Sequence, residues 1–216
     1  MYDEKVSEIL LIDKPKGITS FDVIRKLRKK LGIKKMGHAG TLDPLATGLL
    51  IIGVGKGTKK LNQFLKLPKV YEVEILLGKK TTTGDQEGEI LEEKPVHDLP
   101  SDKIEKVLES IQGKITLPVP AYSAIKKKGK PLYKMARRGE KVEVPEKEME
   151  VVWVRLKDHH KEGDGYILEL EMEVKSGTYV RSIAEEIGIK LGYPAMVWEL
   201  KRTKIGSFRV EDAKAI

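Results

Sequence analysis

The sequence predicts an α+β protein built on a mixed sheet. Three observations carry this. Segments of period two and of period 3.6 are interspersed along the chain. Two alternating runs flank Gly163-Asp164-Gly165, which is a hairpin signal. Regular βαβ alternation is absent, so an all-parallel doubly wound sheet is not expected.

The elements follow in order. Ser20 is placed to cap a helix running through Leu31, with Phe21, Ile24, Leu27 and Leu31 as its apolar stripe and Gly32 at its C-terminus. Leu49-Leu50-Ile51-Ile52 reads as a buried strand. Thr58 is a candidate cap for a second helix holding Leu61, Phe64 and Leu65. From Val70 the period becomes two, with Tyr71, Val73, Ile75 and Leu77 on one face and Glu72 and Glu74 on the other. Gly84, Asp85 and Gly88 mark a polar turn, and Ser101 to Gln112 forms an amphipathic helix followed by Gly113. Pro118 to Lys130 reads as an extended, basic segment. Val151–Lys157 and Tyr166–Val174 are the hairpin strands. Val180, Ile183, Ala184 and Ile187 define a helix closed by Gly188 or Gly192.

The formal net charge is +8, which draws the chain towards polyanions. The charge is clustered. Arg25 to Lys35 holds seven Lys or Arg and no acid, and Ala121 to Lys141 holds eight with one Glu. Acidic residues gather at Asp85–Glu93 and Glu140–Glu150. There is no cysteine, so disulfides and thiolate metal sites are excluded. No stretch approaches the roughly 18 apolar residues of a membrane helix, and the N-terminus has no long apolar signal region. A soluble, cytoplasmic protein with no membrane association is the expectation.

The segment Gly37-His38-Ala39-Gly40-Thr41-Leu42-Asp43-Pro44-Leu45-Ala46-Thr47 carries the chemistry. Gly37 and Gly40 allow positive φ or a close backbone approach. Pro44 fixes its own φ and keeps Asp43 out of the α region. A carboxylate held in this way beside a buried strand is suited to act as nucleophile or base. A bare Asp-Pro turn is the plainer alternative. The segment as a whole resembles the catalytic loop of the tRNA pseudouridine-55 synthases, the B-type pseudouridine synthase family, over Gly37 to Leu50. Four further stretches resemble that family's other motifs: Lys14 to Ser20, Ala121 to Gly139, Gly177 to Ser182, and Leu200 to Thr203 with Gly206 and Phe208. Together they span nearly the whole chain.

The resemblance implies the pseudouridine-synthase fold, a central mixed sheet flanked by helices and loops with a catalytic cleft. It implies an isomerase that turns a uridine of the tRNA T-loop into pseudouridine without a cofactor or metal. Asp43 is then the catalytic carboxylate, Arg181 its cationic partner and Tyr71 the tyrosine that stacks on the target base. Tyr179 and Leu200 line the base pocket, and Asp85 matches a cleft aspartate. His38 enters the RNA loop and fills the space left by the flipped base, and its flanking glycines favour a protruding loop. The two basic clusters, including Lys126, Lys127 and Lys128, hold phosphates of the tRNA T-arm. Plainer roles compete for several of these: core packing for Tyr71, Tyr179 and Leu200, turn chemistry for Asp85, a helix-start surface residue for Arg181.

Residues 1–216 are expected to be one catalytic domain, a monomer, without the C-terminal PUA domain that many relatives carry. Two other functions compete: a guide-RNA-dependent synthase acting on ribosomal RNA, and a non-catalytic RNA-binding or RNA-folding protein. Gly53 to Thr58 imitates a phosphate loop but has Leu50 and Gly57 where that loop needs Gly and Ser or Thr. His159-His160 is set aside as a polar loop, not a metal motif.

Overall fold

The computed structural model describes residues 8–127, 129–140 and 142–216. By internal contacts the chain divides into two compact units, one comprising the residues up to Glu72 together with Glu199–Ile216, the other Val73–Trp198.

The first unit begins with strand β1 (Ile9–Lys14) and helix α1 (Ser20–Leu31). Thr19, not Ser20, caps α1. Its hydroxyl accepts from the Asp22 backbone N–H at 3.0 Å, and the Asp22 carboxylate accepts in return from the Thr19 N–H at 2.9 Å. This reciprocal box needs an acid three residues after the cap, which Thr19 has and Ser20 lacks. Gly32 ends the helix in the left-handed region at φ 68°. Val23, Ile24 and Leu27 are buried, but Phe21 is 53% exposed and lies off the core stripe. Short β2 (Met36–His38) leads through the Asp43 loop to β3 (Thr47–Val54), which is buried almost throughout. A 3₁₀ turn (Gly55–Lys60) and α2 (Leu61–Leu65) follow. Thr58 does not cap α2: its hydroxyl donates backwards to the Gly55 carbonyl at 2.8 Å, inside the 3₁₀ turn.

Strand β4 (Lys69–Leu77) carries the chain into the second unit. There the order is β5 (Lys79–Thr81), β6 (Ile90–Glu93), α3 (Ser101–Ser110), β7 (Gly113–Pro118), β8 (Lys126–Lys127), β9 (Lys130–Pro131), α4 (Leu132–Ala136), β10 (Glu146–Glu162), β11 (Gly165–Val174) and α5 (Val180–Leu191). Strand β12 (Ala195–Ile205) leads back, and β13 (Phe208–Arg209) and β14 (Lys214–Ala215) end the chain.

Pairing is mixed. In the first unit the order is β14-β1-β3-β12, with β1 antiparallel to β3 and parallel pairs at β1–β14 and β3–β12. In the second it is β4-β11-β10-β7, with β10 antiparallel to both neighbours. The hairpin closes between Glu162 and Gly165, so the loop is Gly163-Asp164 as the turn signal requires. His159 and His160 lie in β10, not in a loop. Tyr166, Leu168, Leu170, Met172 and Val174 are all buried, which fixes the register of β11. Gly192, at φ 88°, closes α5. Gly188 stays inside that helix, where a Cβ would stand 2.4 Å from Ala195 Cβ, so glycine is there to let strand and helix approach. The first unit's core joins Ala39, Leu49, Ile51, Leu61, Phe64, Ile205 and Val210, with Phe64 and Phe208 edge to face at 5.4 Å. Among the described residues no helix is long and apolar enough to cross a membrane.

Candidate active site

In the first unit the Asp43 loop is tied down by its backbone on every side. Ala39 N–H donates to Ile51 O at 2.9 Å, extending the strand into the loop. Ser20, freed from capping, exchanges two hydrogen bonds with Leu42, accepting from its N–H at 2.8 Å and donating to its carbonyl at 3.1 Å. Gly17 N–H donates to Pro44 O at 2.8 Å, and Ala46 N–H donates to Asp43 O at 3.1 Å to complete the turn. Gly40 has φ 93°, and a Cβ on Gly37 would stand 2.9 Å from Leu61 Cδ1. Both freedoms expected of these glycines are therefore in use, one in each.

Two buried cations complete the cradle. Lys14, fully buried, donates from Nζ to the carbonyls of Pro15 (2.9 Å), Ile18 (2.8 Å) and Pro44 (3.3 Å). Arg202, also buried, donates from Nε to Leu49 O at 2.8 Å and from Nη2 to Gly40 O at 3.2 Å. The Arg202 backbone passes so close to Gly48, at φ 96°, that a Cβ there would meet its carbonyl at 2.3 Å. A carbonyl left without a donor in such a place costs about 1–3 kcal/mol, so these contacts hold the loop in one shape. Asp43 stands in this loop, half-buried. Lys69, donating to Leu65 O and Leu67 O, is pushed down to about 8 by burial and then by the Arg202 charge.

His38 ends strand β2, paired with Ile52, and is half-buried, so the protruding loop expected there is a strand end. Its Nδ1 is enclosed with no protein partner among the described residues. Burial, and then the Arg202 charge, lower its pKa from the ordinary 6.5, against a smaller opposing effect of the Gly40 backbone. The folded chain therefore takes up this proton less readily than the unfolded chain. Stability is full above about pH 6.5 and falls as the pH drops below it, because the unfolded state binds the proton first. Urea titrations between pH 5 and 8 are expected to show this slope in the wild type and a flatter one in His38→Gln. Equal slopes would remove His38 as its source.

In the second unit Arg181 is the second residue of α5 and is buried, not a surface residue. Its Nη1 donates to Thr83 O at 2.7 Å and its Nη2 to Tyr122 O at 3.1 Å, while Nε lies 4.0 Å from Asp85 Oδ2. Gly84, at φ 75°, brings the turn against the Arg181 stem. Asp85 is both turn and ion partner. Its Oδ1 accepts from Thr83 Oγ1 at 2.5 Å and from Glu87 N–H at 3.1 Å, and its residue bridges to Val197. Arg181 also borders a cleft of about 330 Å³ with Thr83, Pro118, Ala121, Ser182 and Glu185. Tyr179 stands at the N-cap of α5, with Lys147 Nζ 5.6 Å from its ring centre and also donating to Gly177 O at 2.7 Å.

Tyr71 on β4 and Leu200 on β12 are both buried. Lys126 and Lys127 form β8, paired with Lys130–Pro131, and Lys128 lies outside the described residues. Among the described residues Asp158, His160 and Glu169 are grouped closely enough to share a cation, on the exposed face of the β10–β11 hairpin.

Residues 28–180 match the TruB family pseudouridylate synthase (N terminal domain). The chain belongs to this family. It is 44% identical over 211 residues to tRNA pseudouridine synthase B of Bacillus subtilis, covering 96% of this chain and 68% of that protein. It is 40% identical over 208 residues to the enzyme of the same name from Endomicrobium trichonymphae, covering 89% of that protein. Among solved structures it is similar to a chain of a Cbf5-Nop10-Gar1 complex, with a TM-score of 0.72 and 28% identity. It is also similar to a chain of an H/ACA RNP bound to a substrate RNA containing 2′-deoxyuridine, with a TM-score of 0.68 and 26% identity. The chain spans about half the length of these two solved chains. The family fold is α+β with a mixed sheet, and the family's members are isomerases of uridine.

The sequence reading gives Lys14 and Arg202 no role and reads Ser20 as a helix cap, not as a tie to Leu42, although all three stand inside stretches that match the family's motifs. Their signal was available as a charged or hydroxyl residue at the edge of an apolar strand or helix. What was missing was the loop they hold, which is far away in the chain.

Proposed function

We propose that this chain converts a uridine in the T-loop of tRNA to pseudouridine. The observation that carries the proposal is the Asp43 turn, anchored from five directions and lying within the family's catalytic motif. The reaction breaks N1–C1′, turns the uracil and joins C5 to C1′, and the C5 proton moves to a nitrogen of the base. Nothing is gained or lost overall, so no redox partner or energy source enters. Asp43 is the carboxylate that attacks C1′ or takes a sugar proton. By the resemblance Tyr71 is the residue that stacks on the base, and Tyr179 and Leu200 are the residues assigned to its pocket. Arg181 is the cation that the family motif assigns to the catalytic carboxylate, and Asp85 holds Arg181 in position. The target is buried in the folded RNA, so it is flipped out, and His38 takes its place.

The relatives at 38–44% identity are named as tRNA enzymes, which favours tRNA over the RNA of the H/ACA RNP whose chain is matched at 26%. Incubation with an unmodified tRNA transcript, followed by chemical mapping of pseudouridine, is the direct test. A single modified T-loop uridine is expected. Binding without any modification would leave only an RNA-binding role.

The basic segment around β8 is proposed to hold T-arm phosphates. Replacing Lys126, Lys127 and Lys128 with Gln is expected to weaken affinity and to flatten its dependence on salt, because fewer counterions are released. Turnover at saturating RNA should be preserved, since phosphate contacts position the substrate and do not touch the glycosidic bond. Identical salt slopes for mutant and wild type would exclude this segment from the RNA path.

A further inference from the structure

We infer that Phe21, Arg25 and Arg28 on the outer face of α1 form a stacking surface for an unpaired nucleobase of the RNA substrate. The inference rests on the RNA-modifying reading above and names a contact that this reading does not supply. Phe21 is 53% exposed, while Val23, Ile24 and Leu27 of the same helix are buried. It contributes little to the core, and its position is not needed for the cap, which Thr19 and Asp22 provide. The Arg25 and Arg28 guanidinium carbons lie 5.8 and 5.6 Å from the ring centre. Phe21 and the Arg25 guanidinium thus stand on one exposed strip, with the half-buried Arg28, whose Nη2 donates to Met36 O at 3.5 Å, flanking the ring; an aromatic ring and a planar cation are both surfaces on which a base can stack.

The charge around this strip selects the occupant. Lys26, Lys29 and Lys30 are exposed on the same helix, and Lys34 and Lys35 follow it. The acid of α1, Asp22, is engaged by the cap and by Arg25. Such a face repels a second copy of itself. A lipid surface requires several apolar side chains, and Phe21 is the large exposed one on α1. A polyanion with unstacked aromatic bases meets both requirements at once. The strip also adjoins the catalytic loop, because Ser20, the neighbour of Phe21, is hydrogen-bonded to Leu42, the neighbour of Asp43.

The test uses the full chain and a T-arm hairpin RNA transcript, with Phe21→Ala, Phe21→Leu and Phe21→Trp. Phe21→Ala and Phe21→Leu are expected to bind at least about fivefold more weakly, since leucine keeps the apolar bulk but has no π face. Phe21→Trp is expected to bind like the wild type, with its added indole emission quenched by RNA relative to that of the native Trp153 and Trp198. Thermal stability and turnover at saturating RNA should be unchanged in all three. Leucine binding as well as phenylalanine, or an indole emission indifferent to RNA, overturns the inference. So does a change in sedimentation of Phe21→Ala without RNA, which would assign the strip to self-association. Failure of the parent reading is seen separately, as a wild-type protein that leaves every tRNA uridine unmodified.

Discussion

Asp43→Asn is expected to lose turnover by about 10³-fold or more while remaining folded and bound to RNA, as the loss of a nucleophile or base demands. The substitution keeps the shape and hydrogen-bonding outline of the side chain and removes its charge. The loop does not depend on that charge for the ties described above. Gly17, Ser20, Lys14 and Arg202 hold backbone atoms of Leu42, Pro44, Gly40 and Leu49, all of which the variant retains. Thermal denaturation should therefore show a folded variant, and T-arm affinity should change by less than about fivefold, about 1 kcal/mol. Single-turnover assays with excess enzyme measure the chemical step directly. A pure variant that keeps more than about a tenth of the wild-type rate would remove Asp43 from the mechanism.

Arg181→Met is expected to damage both stability and turnover, and the two losses can be separated. Removing one member of a buried ion pair typically costs about 3–5 kcal/mol, because the other charge remains in the interior without compensation. Here that charge is Asp85, which is 3% exposed. The carbonyls of Thr83 and Tyr122 also lose a donor. Adding Asp85→Asn removes the orphan charge and should restore much of the stability. It should not restore turnover if Arg181 acts on the reacting carboxylate. Recovery of activity along with stability would reduce Arg181 to a structural role. Arg181→Lys keeps the charge but lacks the planar fork that reaches Thr83, Tyr122 and Asp85 together, so it too should be impaired.

Much of this molecule was legible from short-range pattern. The ends of α1 at Leu31 and Gly32, the two-residue hairpin at Gly163-Asp164 and the buried β11 face follow from periodicity and turn chemistry, which act over a few residues. The same is true of the Asp43 turn, where Gly40 permits a positive φ and Pro44 restricts the backbone locally. The motifs also sufficed to identify the family. Tertiary structure alone decided the rest. Among 41 lysines and arginines, nothing local distinguishes Lys14 and Arg202 as the buried ones that cradle the Asp43 loop. They are buried because β1 and β12 run beside β3, a pairing set by the whole topology. Ser20 was legible as a cap, but Thr19 forms the box with Asp22, and Ser20 is drawn to Leu42 instead. Phe21 has the spacing of a core residue, yet the rotation of α1 buries Val23 and leaves Phe21 in solvent. Asp85 as the partner of Arg181 joins residues far apart in the chain, which only the folding of β4, α5 and β12 brings together. Local pattern specifies which elements form; which side chains meet is decided by how those elements pack.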